Sequence, residues 1–149
     1  PCPFGSGKDE HIIARPIRAK SMSNQSEQNK NNAKAFYDLM FNQCRPREAI
    51  ENDVGDVYFQ HNPEVDAGKD AFIDYFERMA AEYPGNKVEF MRAVAENDLV
   101  VLHCHQTWPG DNDYAGIYIF RFDENGKIVE HWDVLQIVPE TTANNNTMF

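Results

Sequence analysis

The feature that most constrains the fold of this chain is a change of hydrophobic period near residue 87 of 149. Beyond that point, apolar and polar residues alternate with period two in four segments that are separated by turn residues. One of these turns, Asp123-Glu124-Asn125-Gly126, has the length and the glycine of a tight hairpin, which predicts antiparallel neighbours. The predicted strands cover residues 87–95, 99–108, 115–123 and 127–138.

The residues before 87 show helical periodicity and one extended stretch. The first predicted helix has a single apolar stripe, made by Ala33, Phe36, Tyr37 and Met40. Helices followed by hairpin-linked strands are typical of an α+β domain, in which helices cover one face of an antiparallel sheet. Helices are predicted over 26–42, 46–52 and 70–83, and the extended stretch over 54–61.

The first 21 residues differ in composition from the rest of the chain. They begin with the turn-rich run Pro1 to Gly7 and contain a small basic cluster of Arg15, Arg18 and Lys20. With Met22 as the natural start, residues 1–21 are predicted to be a leader or a segment added upstream, and residues 22–149 a single domain. The alternative interpretation is a native arm that packs on a partner subunit.

Composition excludes several classes of partner. Hydrophobic residues make up 42% of the chain, which is enough for a core and argues against global disorder. The formal net charge of −10 disfavours binding to nucleic acid or to anionic membranes. No run of about 18 apolar residues is present. Three widely spaced cysteines, Cys2, Cys44 and Cys104, favour free thiols in the cytoplasm over a disulfide scaffold.

Histidines and an aspartate occupy positions inside the predicted strands. Alternate residues of a strand share a face, so His103 points with His105, and His131 points with Asp133. For His131 and Asp133 the alternation does not decide which face of the strand meets the core, because Trp132 on the opposite face is also apolar. His131 and Asp133 are therefore either cavity groups or solvated surface groups.

The strand between these pairs supplies an orientation. Arg121 is charged, so its face is predicted to meet solvent or a subunit edge, which turns Tyr118, Phe120 and Phe122 inward. A histidine and an aspartate that converge on a cavity can remove a proton from a carbon acid and return it to a carbonyl oxygen. Tyr118 can donate a hydrogen bond to the oxyanion that develops.

A metal site through His103, His105 and His131 is a competing hypothesis, since imidazoles and carboxylates on strand faces are common ligands. However, Pro109 and Gly110 stand where the metal-binding double-stranded barrels carry a glutamate. The segment around His61 also allows two interpretations. This histidine is either a turn residue near Pro63 or a polar group at the mouth of a cavity.

Four segments of the chain, spread over residues 31–149, carry a resemblance to a known family. They are Tyr58-Phe59-Gln60-His61-Asn62-Pro63, Gly68-Lys69-Asp70-Ala71-Phe72, Val100-Val101-Leu102-His103 and the run from Gly126 to Gln136. Together these segments resemble the SnoaL-like polyketide cyclase branch of the nuclear transport factor 2-like superfamily, whose small bacterial members also have a similar C-terminal tail.

The resemblance implies a cone-shaped α+β barrel. About three N-terminal helices would pack on a strongly curved, mostly antiparallel sheet with a central apolar pocket, and family members commonly form dimers through the sheet. Characterised cyclases of this type close polyketide rings by intramolecular aldol condensation without a metal. Relatives on the same fold isomerise ketosteroids, dehydrate small aromatic precursors or hydrate epoxides.

The resemblance also implies site residues. Asp133 would be the acid/base, with His61, His103 or His105 as its partner, and Tyr118 would be the oxyanion donor. The isomerase relatives carry an aspartate just before the proline where this chain has Asn62, which disfavours isomerisation by that route. The expected substrate-contacting residues, of which the phenylalanines are core residues first, are Phe72, Phe76, Trp108, Phe120 and His131.

The expected function is that of an enzyme without cofactor or metal, acting on a small apolar carbonyl compound by aldol-type cyclisation or a related proton transfer. A homodimer in the cytoplasm, with no nucleic-acid or membrane partner, is expected. One alternative is a non-catalytic ligand-binding or dimeric interaction module of the same fold. The other is a metal-dependent enzyme that uses the histidines. A cavity lined by both Asp133 and a histidine within hydrogen-bond reach would favour catalysis, whereas a cavity filled by side chains would favour the module.

Overall fold

A computed structural model describes residues 17–149 of the chain, and its side chains from Asn24 onwards. Helix α1 (Ile17–Tyr37) continues into a π-helical turn (Asp38–Asn42) and is followed by α2 (Pro46–Asp53), β1 (Val54–Gln60) and α3 (Lys69–Glu82). The remaining strands are β2 (Lys87–Glu96), β3 (Leu99–Thr107), β4 (Tyr114–Phe122) and β5 (Ile128–Ile137). Residues 1–16 of the predicted leader lie outside the described residues, and α1 runs across the predicted boundary at residue 22.

The five strands form one mixed sheet in the order β1-β5-β4-β3-β2. The pairing of β1 with β5 is parallel, and the three other pairings are antiparallel. The hairpin between β4 and β5 turns at Gly126, whose φ of 75° is the left-handed conformation that glycine adopts without strain. The α+β class with three helices on the sheet is confirmed. The sheet is open, with free edges at β1 and β2.

The sheet has an inner face that packs on the helices and an outer face that does not. On β4 the inner residues Tyr118, Phe120 and Phe122 are buried, whereas Arg121 points outward and donates hydrogen bonds to Asp98 and Glu130. The predicted orientation of this strand is therefore confirmed. On β3 the buried inner residues are Val100, Leu102, Cys104 and Gln106.

Aromatic side chains fill the space between the helices and the inner face. Phe36 of α1 lies 6.1 Å from both Phe72 of α3 and Phe120 of β4, measured between ring centroids. Offset and edge-to-face ring pairs of this kind add to the free energy gained from burial alone. The apolar stripe predicted for the first helix is buried along its whole length. Within residues 17–149, no helix is both long and apolar enough to cross a bilayer.

Candidate functional site

A cavity of about 640 Å³ lies between α3, the connections that follow β1 and β3, and the end of β5. It adjoins an inner chamber of about 50 Å³, and the two spaces share wall residues that include Asn62, Trp108 and Asp133. The inner chamber extends under the helices toward Tyr37, Gln106 and Tyr118. A wide outer space that ends in a small polar chamber suits a ligand with an apolar body and one polar group.

Asp133 lies in the wall of both spaces, in register with Tyr118 on the neighbouring strand. Its Oδ2 accepts a hydrogen bond of 2.8 Å from Asn62 Nδ2, and its Oδ1 has no hydrogen-bond partner among residues 24–149. Burial raises the pKa of the Asp133 carboxyl, the charge of Glu64 adds to this, and the bond from Asn62 opposes it. A carboxylate with a raised pKa is a stronger base than an ordinary aspartate.

Asn62 is held in place from both sides. Its backbone N–H donates to Gln60 Oε1 at 2.9 Å, and its side-chain Oδ1 accepts from the backbone N–H of Glu64 at 2.8 Å. Because Oδ1 is engaged as an acceptor, the amide nitrogen must be the atom that faces Asp133. The turn after β1 thus orients a donor toward the carboxylate.

A buried chain of hydrogen bonds runs behind the cavity wall. Tyr37 Oη lies 2.8 Å from His131 Nε2, His131 Nδ1 lies 3.0 Å from Gln60 Oε1, and Gln60 Nε2 donates to Tyr58 Oη at 3.1 Å. Gln60 Oε1 also accepts the Asn62 N–H, so it is the oxygen, and His131 Nδ1 must carry the proton. His131 Nε2 therefore accepts from the Tyr37 hydroxyl.

His131 is neutral in this chain. Its full burial, helped by the charge of His61, lowers the pKa of the imidazole to about 3. His131 points inward and is not one of the two solvated surface groups that the alternation allowed. It lies behind Tyr37, however, and lines neither space, so the expected position in the cavity wall is wrong.

Tyr118 has a buried hydroxyl with no hydrogen-bond partner in the described part of the chain. Burial, and to a smaller degree the charges of Cys104 and Asp133, raise the pKa of this phenol well above its ordinary value. The group therefore stays protonated and can donate. Buried polar groups almost always find a partner, so an unsatisfied one beside a cavity indicates a place for a ligand atom.

The aromatic residues expected in the pocket wall separate into two groups. Trp108 lines both spaces, with its Nε1–H donated to Gln106 Oε1 at 3.0 Å, and Phe76 lines the inner chamber. Phe72 and Phe120 lie in the core and line neither space. They pack on Phe76 and Tyr37, respectively, whose rings form the wall of the inner chamber. For these two residues the predicted wall position is wrong.

His103 and His105 lie on the outer face of the sheet, so their predicted position in the cavity is wrong. The physical reason is the register of β3, which gives the inner face to Leu102, Cys104 and Gln106. Arg92 Nη1 donates to His103 Nδ1 at 2.6 Å. His105 Nε2 lies 2.8 Å from Asp113 Oδ2, and its ring stacks on Phe149.

His61 also points to the outer face instead of the cavity mouth, where it was expected. Gln60 at the end of β1 faces inward, so the next residue along the strand direction faces outward. His61 Nε2 lies 2.9 Å from Glu130 Oε1, and the imidazole is stacked parallel to Trp132 with centroids 5.0 Å apart.

The metal hypothesis loses its ligand set in this arrangement. His103 and His105 stand on the outer face, whereas His131 stands in the interior, so the three imidazoles do not converge. Over the described residues, no group of three histidines, cysteines, aspartates or glutamates is placed to hold a metal ion.

Sequence reasoning missed the polar residues that complete the site. The sequence predicts Tyr37 only as part of the apolar stripe of a helix and Gln60 only as part of a motif. It singles out Asn62 only as a departure from the isomerase relatives. Gln106 was not considered. A usable signal was present, because Gln60 and Asn62 flank His61 with strand spacing, and Gln106 follows Cys104 on one strand face.

Comparison with known proteins identifies the family of this chain. The model of the SnoaL-like domain matches residues 33–131. A search of curated proteins finds no significant match.

Solved structures with the same fold include AclR, named as a hydroxylase, from Streptomyces galilaeus (18% identity, 75% of this chain and 81% of the other, TM-score 0.64). They also include a protein named as a polyketide cyclase from Bacillus cereus (20% identity, 73% of this chain and 74% of the other, TM-score 0.64). A third, from Kribbella flavida, is named as a ketosteroid isomerase (17% identity, 79% of this chain and 84% of the other, TM-score 0.62). These identities show a shared fold and leave the reaction open. With a family match that covers most of its length, the chain belongs to the SnoaL-like domain family.

Proposed function

We propose that this protein is an acid–base enzyme that works without a bound cofactor on a small, mostly apolar carbonyl compound. The proposed reaction is an aldol-type cyclisation or a related proton transfer. Asp133 is the catalytic acid/base, and Tyr118 is the oxyanion donor. The observation that carries the proposal is that these two residues are in register on neighbouring strands. Asp133 supplies a half-buried carboxylate and Tyr118 a buried hydroxyl without a partner among the described residues.

The reaction needs a base and a hydrogen-bond donor of the protein that act on the same substrate molecule. Asp133 removes a proton from the carbon beside a carbonyl, and the electron pair of the broken C–H bond forms the enolate. In a cyclisation the enolate carbon attacks a second carbonyl of the same molecule, one C–C bond forms, and the new alkoxide takes the proton back from Asp133. In an isomerisation the proton returns to a different carbon, so either outcome conserves all atoms.

The surroundings of Asp133 suit this role. Asn62 orients the carboxylate through Oδ2 and leaves Oδ1 for the substrate proton. The apolar parts of Met79, Trp108 and Leu135 line both spaces and restrict water near the base. Cyclisation and isomerisation, the reactions for which two similar proteins are named, both begin with this removal of a proton by a base.

The test is exchange of ketone α-protons for deuterium in D2O, followed by proton NMR on a panel of aryl ketones. The wild-type protein is expected to accelerate exchange, and Asp133→Asn is expected to abolish it with an unchanged circular dichroism spectrum. The matched control is Asp113→Asn, which alters an aspartate that lies away from the cavity wall and pairs with His105 of the outer face. Exchange that survives in Asp133→Asn, or is lost in Asp113→Asn, contradicts the proposal.

A protein that binds the ketones but does not exchange their protons would be the non-catalytic ligand-binding module. The cavity of about 640 Å³ would serve that function as well. The exchange experiment separates the two functions, because binding without exchange removes Asp133 from the role of base and leaves the cavity as a binding site.

We also propose a homodimer through the outer face of the sheet. The proposal is supported by the exposed apolar side chains of this face, among them Val134, which is 73% exposed, and Val94. Sedimentation velocity is expected to give a dimer that Val134→Lys dissociates, and a wild-type monomer would contradict this. A cytoplasmic location and the lack of nucleic-acid or membrane partners stay predictions from charge and cysteine content.

A further inference from the structure

The inner chamber contains a second side chain with an unused donor. Gln106 is buried at 3% exposure, points inward from β3 and lines the inner chamber. Its Oε1 accepts the indole N–H of Trp108 at 3.0 Å. Because an indole can only donate, the accepting atom is the amide oxygen, and the amide nitrogen is the free end. Among residues 24–149, no hydrogen bond engages this nitrogen.

The position of the Tyr118 hydroxyl depends on a glycine. A Cβ atom on Gly116 would lie 2.6 Å from Tyr118 Oη and 2.5 Å from its Cε2, so the phenol lies directly over this glycine. Gly116 is in register with Cys104, the inner-face neighbour of Gln106 on β3. The absence of a side chain on Gly116 therefore lets the hydroxyl extend toward Gln106.

The Tyr118 ring cannot move away from this position without cost. It meets the Tyr37 ring edge to face at 4.8 Å and stacks on His131 at 6.1 Å. The Tyr37 hydroxyl donates its proton to His131, so it presents only lone pairs to the chamber. Among the buried side chains that line the chamber, Tyr118 and Gln106 are thus the two with a donor free for a ligand.

The chamber is small. Its volume of about 50 Å³ compares with roughly 30 Å³ for one water molecule in the liquid. It therefore accommodates a single oxygen substituent and not a ring, while the ring system stays in the outer cavity.

We propose that Gln106 is a second oxyanion donor, which binds the carbonyl oxygen of an aryl or alicyclic ketone together with Tyr118, and that Gly116 is the positioning residue that makes room for this pair. The inference deepens the proposed function by assigning the substrate oxygen to the inner chamber. It predicts that ketones with the carbonyl at the edge of an apolar ring system are preferred over hydrocarbons of the same shape.

The test compares 2-acetonaphthone with 2-isopropylnaphthalene, which has nearly the same shape but no carbonyl. In equilibrium dialysis the wild-type protein is expected to favour the ketone about tenfold, once each affinity is divided by that compound's partition coefficient from water into cyclohexane. This correction removes the difference in hydrophobicity and leaves the hydrogen bonds to the carbonyl. Infrared difference spectra with a ¹³C-labelled carbonyl are expected to show a stretch at lower wavenumber than in an apolar solvent.

Variants assign this effect to the two donors. Gln106→Leu and Tyr118→Phe are each expected to move the carbonyl stretch part of the way back and to reduce the preference for the ketone. Gly116→Ala is expected to reproduce Tyr118→Phe, because the added methyl group displaces the hydroxyl. The matched control is Gln136→Leu, which replaces an exposed glutamine of β5 and is expected to change neither quantity.

A carbonyl stretch in Gln106→Leu that equals that of the wild type overturns the inference, even if Gly116→Ala fails to fold. Failure of the proposed function is a different result. In that case the donors would shift the stretch, and Asp133-dependent exchange of α-protons would be absent. Conversely, exchange that depends on Asp133 and Tyr118 but not on Gln106 would leave the proposed function standing and remove this inference.

Discussion

The rings of Tyr37 and Tyr118 meet edge to face with centroids 4.8 Å apart, yet only the Tyr37 hydroxyl has a hydrogen-bond partner among the described residues. Both phenols are buried, and burial raises the pKa of each well above the ordinary value. They therefore have the same charge state and similar surroundings, but opposite hydrogen-bond status. Removal of the two hydroxyl groups should consequently have opposite effects on stability.

Tyr118→Phe is expected to raise the free energy of unfolding by about 1 kcal/mol, because it removes a buried hydroxyl that has no partner. It is expected to slow α-proton exchange by about 10²-fold, since an oxyanion donor is lost. Urea unfolding at pH 7 and the exchange assay measure the two effects.

The control is Tyr37→Phe, which leaves His131 Nε2 without a donor and is expected to lower the free energy of unfolding by about 1–3 kcal/mol. Loss of stability in both variants would contradict the assignment of Tyr118 as the unsatisfied group.

His131 should make the protein sensitive to acid. Its pKa is about 3 in the folded state, whereas an unfolded histidine titrates near 6.5. Below pH 6.5 the unfolded chain takes up a proton that the folded chain refuses, so stability is lost as the pH falls toward 3. The expected slope from this group is about 1.4 kcal/mol per pH unit. Unfolding by urea between pH 7 and 4.5 measures this slope. In His131→Gln the free energy of unfolding should depend less steeply on pH.

The ring nitrogens of His131 provide an independent check. Nitrogen-15 NMR is expected to show a proton on Nδ1 and none on Nε2 at pH 5, as the bonds to Gln60 and Tyr37 require. An imidazolium, or the opposite tautomer, would mean that the buried chain of hydrogen bonds is arranged differently.

Asp133 should connect activity with pH. Its raised pKa means that the base becomes active at a higher pH than an ordinary aspartate, so exchange rates are expected to rise with pH to a midpoint above 3.8. The same shift makes the ionised carboxylate unfavourable in the folded state. Asp133→Asn is therefore expected to melt at the same or a higher temperature at pH 7, and the gain should fade as the pH falls toward 3.8.

The outer histidines should be dispensable for chemistry. His103→Ala and His105→Ala alter side chains that contact Arg92 and Asp113 on the far side of the sheet, so exchange rates are expected to stay within about twofold of wild type. Dialysis against a chelator is expected to leave the rate unchanged. A loss of activity in either variant, reversed by added zinc, would revive the metal hypothesis.

The fold was predictable to a large extent because its signals are local. The period-two segments and their turns lie within one or two residues of the observed strands, and Arg121 correctly gave the inner face of β4. The first helix was predicted to begin at residue 26, but it begins at Ile17, because the polar residues before Ala33 give no periodic signal.

The site was less predictable because it depends on the pairing of distant strands. Asp133 and Tyr118 were correctly placed on the inner face. His61, His103 and His105 were not, since alternation states which residues share a face but not which face meets the helices. The parallel register of β1 with β5, which brings Gln60 opposite His131, is a contact across 71 residues that no local pattern encodes.

The strand order has a consequence for how the protein is made. Strand β5 is translated after all the others, yet it occupies a place between β1 and β4. Until it emerges from the ribosome, β1 has no neighbour, and Asn62 and Gln60 have no Asp133 or His131 to bind. A nascent chain can therefore pair β2, β3 and β4, which carry Gln106 and Tyr118, but it joins β1 and the acid/base group to the sheet only once β5 has been made.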